Sequence, residues 1–387
     1  MSTANTPNNP GTQNSAQTDL DFPEIQELIS QIEKVALPAE LKERLLRMTG
    51  RLKLAARVGG YSMEFESIKK YTDWAIKIPW NQYTQDQMEL RVVAETLEKY
   101  HYGLKDVKDR VIEYLSVMKL NERRKQEEAQ ATTSDQMKKL RGSSESAPIM
   151  CFVGIQGVGK TSMAKSIANA LGRQFVRISL GAMSSSTALR GRSRGEQDAE
   201  PGQIIKAIAN TGVMNPLILL DEVDKVSSES GLRADVMAAL LEILDPEQNA
   251  TFVDHYIDFP VNLSRAIFIT TANNLGGIST ALLDRLEIIR FSSYSPEDKK
   301  IIGKNYLLPK VRRATGLTEE QLKFTDDVWE LVVNPLGFDA GIRQLERNLT
   351  KIARKVARRI VDGIATSVTI SPENFREFLP QDIEVYS

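Results

Sequence analysis

An α/β fold built on a mostly parallel sheet, with helical domains before and after it, is predicted by three observations. Short β-type runs at 149–153, 175–180, 217–220, 266–271 and 288–291 alternate with helical or loop segments, the pattern of a sheet covered on both faces. A glycine-rich run follows the first strand directly and opens a helical stretch. Helical periodicity marks the residues on either side of this block.

Residues 1–19 are rich in Ser, Thr, Asn, Gln and Pro with almost nothing apolar, which predicts a disordered tail. From 20 to 98 a helical N-terminal domain is expected. Phe22, Ile25, Leu28, Ile29, Ile32 and Val35 share one helix face, and Leu41, Leu45, Met48, Leu52 and Ala55 repeat the spacing after Pro38. A third stripe, Phe65, Ile68, Tyr71, Ala75 and Ile78, follows Gly59-Gly60 and stops at Pro79. The α/β core is placed at 99–291. Its leading helix carries Val107, Val111, Leu115 and Met118, and the polar stretch 121–147 reads as an exposed insertion, a linker or a frayed helix. After Ser292 the β signal fades. Leu345, Leu349, Ile352, Val356 and Ile360 then predict a helical lid over 292–387.

Composition narrows the chemistry. At 387 residues, 41% hydrophobic and 26% charged, the chain fits two or three soluble domains. A net charge of −1 gives no overall field toward nucleic acid or an anionic membrane. The one cysteine, Cys151, excludes a disulfide framework and a cysteine zinc site. Two histidines, His101 and His255, leave little for a histidine metal site or a Ser-His-Asp hydrolase. Neither a membrane span nor a signal-peptide core is visible, so a cytoplasmic protein without a membrane partner is expected.

Gly154-Ile155-Gln156-Gly157-Val158-Gly159-Lys160-Thr161 fits G-x-x-x-x-G-K-[ST], with Ser162 following. Glycines let backbone N–H groups turn toward phosphates, and the next helix presents its positive end to them. Lys160 is expected to reach the β- and γ-phosphates of ATP, and the Thr161 hydroxyl to hold Mg²⁺. The run is not G-x-G-x-x-G, so a dinucleotide fold competes poorly.

Leu217-Ile218-Leu219-Leu220-Asp221-Glu222 reads as a buried strand with two carboxylates at its C-terminal end, where parallel sheets bind ligands. Asp221 is placed to fix Mg²⁺ through water, and Glu222 to orient or deprotonate the attacking water. Asn273 ends another strand, as a water-positioning amide or simply a turn former. Arg285 fits an arginine finger for a neighbouring subunit, or a surface ion pair with Asp284 or Glu287. Arg343 opens the last periodic helix, as a phosphate sensor or a solvated residue.

The order of these elements resembles the ATPase portion of Lon proteases. The likeness is carried by residues 151–161, 175–181, Leu220-Asp221-Glu222-Val223-Asp224-Lys225, Leu240 to Asn249 and Leu282-Leu283-Asp284-Arg285. It extends upstream to Tyr71-Thr72-Asp73-Trp74, Pro79-Trp80 and His101-Tyr102-Gly103-Leu104, and downstream to Ala340-Gly341-Ile342-Arg343 and Leu345-Glu346-Arg347. The resemblance implies an α/β P-loop NTPase with an AAA+ core, a five-stranded parallel sheet and a C-terminal helical lid. It also implies Asn273 as sensor 1, Arg285 as the finger, Arg343 as sensor 2, Tyr102, Gly103 and Leu104 around the adenine, and a homo-oligomeric ring, a hexamer.

Five departures qualify it. Lon chains continue into a Ser-Lys protease domain, whereas this sequence stops at Ser387, so a motor without its own peptidase site is expected, remodelling proteins or feeding a separate peptidase. The amino-terminal substrate-binding domain of many Lon proteins is also unmatched, and Ile155-Gln156 replaces the usual Pro-Pro. In the loop from Gly191 to Gly202, Glu196 and Gln197 stand where Lon-type motors carry an aromatic and an aliphatic residue, within the acidic run Glu196, Asp198, Glu200. No aromatic occurs from Ser227 to Asp235, where a second pore loop would sit. A nucleotide-controlled scaffold or switch is therefore the alternative. A nucleic-acid-binding ATPase, suggested by Arg190, Arg192, Arg194, Lys351, Arg354, Lys355, Arg358 and Arg359, is the lesser one, since the later set reads as a solvated helix face.

Overall fold

The computed structural model describes residues 23–58, 61–87, 89–130, 149–181, 183, 185–226, 230–333 and 341–378. The tail expected at 1–19 and residues 131–147 of the expected insertion lie outside them. The chain divides into two compact units, Met1–Trp80 and Asn81–Ser387.

The first unit contains α1 (Pro23–Lys34), α2 (Ala39–Val58) and α3 (Tyr61–Lys77). Ile25, Leu28 and Ile32 of α1, Leu41, Leu45 and Leu52 of α2, and Phe65, Ile68, Tyr71 and Ala75 of α3 are buried, as the 3.6-residue stripes require. Pro79 closes the third stripe, and the Trp80 indole donates to the Ala75 carbonyl at 2.8 Å.

The second unit opens with α4 (Leu90–Tyr100) and α5 (Lys105–Gln130), so residues 121–130 of the polar stretch continue a helix. Then come β1 (Ile149–Val153), α6 (Lys160–Leu171), β2 (Phe175–Ser179), α7 (Thr187–Arg190), α8 (Gln203–Thr211), β3 (Leu217–Asp221) and α9 (Ser230–Leu244). A small antiparallel pair, β4 (Phe252–Val253) and β5 (Pro260–Val261), precedes β6 (Ile267–Ala272), α10 (Thr280–Leu283) and β7 (Leu286–Arg290). The five long strands form one parallel sheet in the order β2-β3-β6-β1-β7. That is the predicted sheet, with strand ends shifted by up to two residues. Every residue of β1, β3 and β6 is buried, which explains their unbroken apolar runs. Burying one such Leu or Ile side chain contributes roughly 1.5–3 kcal/mol.

The strands that end beside the P-loop all point their C-terminal ends the same way, so the chemistry-bearing residues after β1, β3 and β6 gather on one edge. At the other end, residues 82–87 are tied to the core. Thr84 and Asn215 exchange hydrogen bonds at 2.8 and 2.9 Å, and the buried Arg173 guanidinium pairs with Asp86 at 2.5 Å while donating to the Asn215 and Arg265 carbonyls. Removing one partner of such a buried pair costs about 3–5 kcal/mol.

The lid comprises α11 (Pro296–Ile302), α12 (Leu308–Thr315), β8 (Leu322–Phe324), α13 (Val328–Val333), α14 (Arg343–Val361), β9 (Val368–Ile370) and α15 (Phe375–Phe378). Ser295 and Asp298 form a reciprocal capping box at the start of α11, with Pro296 at its first turn. Leu345, Leu349, Ile352 and Val356 of α14 are buried in a cluster with Trp329, Leu322 and Phe378. The expectation that β structure ends after Ser292 is corrected here. β8 and β9 pair in parallel, Leu322 opposite Val368 and Phe324 opposite Ile370. Three-residue strands are too short to show an alternation of their own.

Candidate nucleotide site

The P-loop connects β1 to α6 as its sequence predicts. Gly157 and Gly159 adopt φ values of 86° and 99°, a left-handed backbone that side chains with a Cβ resist. A Cβ at Gly154 would stand 2.6 Å from the Phe291 carbonyl oxygen, so the loop passes hard against the end of β7. Tyr294 supports it from outside, donating to the Val158 carbonyl at 3.0 Å. Burial pushes the phenol pKa up to about 12, which keeps that donor protonated.

Lys160 is half-buried, and its ammonium is aimed back into the loop. It donates to the Gly154 carbonyl, to the Ile155 carbonyl at 3.2 Å and to the Asn273 Oδ1 at 3.1 Å. Burial draws its pKa below the usual lysine value, while Asp221, Asp224 and Glu222 pull it back up. Thr161 is half-buried at the first turn of α6, and Ile155, Gln156 and Ser162 are exposed.

The Asp221 carboxylate is held on both oxygens. Thr271 donates its hydroxyl to one, and Arg177 Nε donates to the other at 2.6 Å. The same Thr271 oxygen accepts the Glu222 backbone N–H at 2.9 Å, so one hydroxyl fixes two consecutive acidic residues. Glu222 sits at φ 61° and ψ 48°, an uncommon conformation for a residue with a side chain. Its carboxylate meets Lys225 at 3.2 Å. Asp224 next to it is buried, with Oδ2 accepting the Asn274 backbone N–H at 3.3 Å, which pins the segment following Asn273 to that following Glu222.

The lid closes against the same loop. Ile342 N–H donates to the Gly157 carbonyl at 3.1 Å, and a Cβ at Gly341 would lie 2.5 Å from the Gln156 carbonyl oxygen. Arg343 therefore begins its helix beside the P-loop, with its side chain exposed. Tyr102 packs against the lid cluster and Leu104 against the sheet cluster, so Tyr102, Gly103 and Leu104 lie between the two.

Arg285 is elsewhere. It pairs with Asp245 at 3.0 Å and donates to the Leu241 carbonyl at 3.3 Å, both at the C-terminal end of α9. The ion pair weighed with Asp284 or Glu287 is thus not the one formed. Glu287 faces Arg110 at 3.4 Å instead. The loop from Gly191 to Gly202 is closed at its base by the buried Asp254, whose Oδ2 accepts the Gly202 N–H at 2.7 Å. Glu196, Gln197 and Asp198 at its tip are exposed.

Sequence reasoning missed Thr271, Arg177 and Asp245. Two threonines inside an apolar strand, Thr270-Thr271, and a lone arginine within Phe-Val-Arg-Ile-Ser were the available signals. Asp245, in Leu-Asp-Pro-Glu, offered none beyond a helix end.

A P-loop on a five-stranded parallel sheet, acidic residues on the adjoining strand and a helical lid define an AAA ATPase. Residues 150–294 match the family model described as ATPase family associated with various cellular activities (AAA). Residues 313–368 match the Lon protease AAA+ ATPase lid domain. Lon protease of Desulforamulus reducens is 41% identical over 348 residues, covering 90% of this chain and 40% of that protein. Lon protease 2 of Herpetosiphon aurantiacus is 39% identical over 364 residues (94% and 42%), and Lon protease 1 of Bacillus subtilis 39% over 363 residues (94% and 44%). The chain is thus a Lon-like AAA+ ATPase by sequence and fold, and it spans about two fifths of the length of these curated relatives.

Proposed function

We propose that this chain is the ATP-driven motor segment of a Lon-like machine that remodels proteins or feeds them to a peptidase lying outside residues 1–387. The observation that carries this reading is the convergence of Lys160, Asn273 and the Asp221-Glu222 pair on one edge of the sheet, under a lid that touches the P-loop. ATP lies between core and lid, its phosphates on the backbone of Gly154 to Thr161 and Ser162, its adenine beside Tyr102, Gly103 and Leu104. Lys160 exchanges its carbonyl partners for phosphate oxygens.

The donors present suit Mg²⁺. Among the described residues no three acidic, histidine or cysteine side chains gather into a metal cage. A hydroxyl at Thr161 and a carboxylate at Asp221 are the hard oxygen donors that Mg²⁺ takes together with phosphates. When bound, the ion neutralises charge on the phosphates. Glu222 orients and deprotonates the water, Asn273 holds it near the γ-phosphate, and Arg343 answers the phosphate from the lid. Arg285 serves a neighbouring subunit of a homo-oligomeric ring, taken as a hexamer, working in the cytoplasm.

A switch or scaffold that threads no polypeptide is the second reading. It is favoured by the exposed Glu196 and Gln197 at the tip of the 191–202 loop, which offer no apolar grip. The nucleic-acid reading is weakened because Arg190, Arg358 and Arg359 each pair with a carboxylate.

Steady-state ATP turnover, measured with and without an excess of an unfolded protein, separates the first two. Stimulation is the expected result of a protein-remodelling motor. Turnover that does not respond to unfolded protein favours the switch.

A further inference from the structure

His101 is buried at 6% exposure and caps the C-terminal end of α4, its N–H donating to the Leu97 carbonyl at 3.0 Å. Its ring Nε2 lies 2.9 Å from the Ser166 hydroxyl, across 65 residues of sequence. Ser166 is itself buried, on the helix that begins with Lys160 and Thr161. α4 packs against that helix, and Val93 and Leu97 are buried in the same cluster as Met163 and Ile167. Immediately after His101 the chain turns sharply through Gly103 and Leu104, at φ 63° and 52°. A left-handed leucine persists only where its surroundings hold it. Leu104 is held by the sheet cluster and Tyr102 by the lid cluster, which leaves His101 as the polar tie at the start of the turn.

We propose that His101 is a positioning residue. Through Ser166 it locks the Tyr102–Leu104 turn to the phosphate-binding helix, and so fixes the distance between base and phosphate subsites and the preference for adenine. A neutral imidazole has one donor and one acceptor, and a hydroxyl has both, so the bond forms with either tautomer. Burial, with the neighbouring Lys108 ammonium second, lowers the ring pKa to about 4, so the ring is neutral near pH 7. The clasp works on the base end of the nucleotide, which predicts an effect on binding and selectivity but not on the hydrolytic step. It rests on the assignment of the Tyr102–Leu104 turn to the base.

The test compares His101→Phe, Ser166→Ala, the double variant, His101→Gln and Tyr102→Ala, with KM and kcat measured for ATP and GTP and folding followed by thermal melting. Loss of one buried hydrogen bond predicts about a tenfold rise in KM for ATP in either single variant. The ATP-to-GTP preference should narrow, with kcat within about twofold of the parent. The double variant should be no worse than the singles. His101→Gln, whose amide nitrogen reaches the position of Nε2, should restore both KM and selectivity. Stable His101→Phe and Ser166→Ala proteins with unchanged KM and preference, or with a fall in kcat alone, would overturn the clasp. If those variants are silent while Tyr102→Ala shifts KM and preference, only the clasp fails. If Tyr102→Ala is also silent, the base-site assignment fails with it.

Discussion

Thr271 does with one hydroxyl what two residues would otherwise share, donating to Asp221 and accepting from the Glu222 backbone. A hydroxyl can do both because it carries one proton and two lone pairs. The ordering of the acidic pair thus depends on a side chain from β6, the strand that lies between β3 and the P-loop strand β1. The identities of Lys160, Asp221 and Glu222 could be read from the sequence, since each sits at a fixed offset from an apolar run. The partners of Asp221 and Glu222 could not, because Arg177 and Thr271 are brought in by strand register, and neither could Asp245, which helix packing brings to Arg285. His101 makes stability depend on pH. Its pKa is about 4 when folded and that of an ordinary histidine, near 6.5, when unfolded. Between those values the unfolded chain binds the extra proton, so stability must fall as pH drops from about 6.5 toward 4. Chemical denaturation of the parent and of His101→Gln across that window should show the parent losing up to about 1.4 kcal/mol per pH unit more than the variant. Parallel curves would mean the ring is not held neutral.

At the scale of elements, the strands and long helices followed directly from apolar period and punctuation. β1 falls where five apolar residues precede the glycine turn, and α14 begins at Arg343, two residues before its stripe opens at Leu345. What periodicity did not show were the pairs β4–β5 and β8–β9, too short to have a period, and the continuation of α5 through a run too polar to carry an apolar stripe. The division at Trp80 was also hidden, because it is packing that assigns α4 to the sheet domain, with Val93 and Leu97 buried against α6. The contact between lid and P-loop depends on closeness at Gly341. A Cβ there would meet the Gln156 carbonyl oxygen at 2.5 Å and Gly157 backbone atoms at 2.8 and 2.9 Å. Gly341→Ala must push the start of α14 away from the phosphate loop. The expected outcome is at least a tenfold weakening of ATP affinity by titration, roughly 1.4 kcal/mol or more, with little loss of thermal stability. Unchanged affinity would mean that the lid contributes nothing to nucleotide binding.

For the whole molecule, Arg285 is the informative residue. It is held by Asp245 and the Leu241 carbonyl, with its side chain 40% exposed. In the proposed ring such an arginine would serve a site in another copy. In a ring, Arg285→Ala should bind ATP normally and lose turnover by about 10³-fold, the usual worth of an arginine finger. Mixing Arg285→Ala with Lys160→Ala subunits should then restore part of the activity, because each supplies what the other lacks at a shared interface. No recovery on mixing, with both variants shown to co-assemble, would contradict a shared site.

If the edge formed by Lys160, Asp221, Glu222 and Asn273 hydrolyses ATP, Glu222→Gln must separate binding from turnover. ATP affinity and single-turnover hydrolysis with Mg²⁺ should be measured side by side on the parent and this variant. Binding should be undiminished and the hydrolysis rate lower by at least about 10²-fold, the loss of a general base. Hydrolysis at the parent rate by a fully bound Glu222→Gln protein would contradict it.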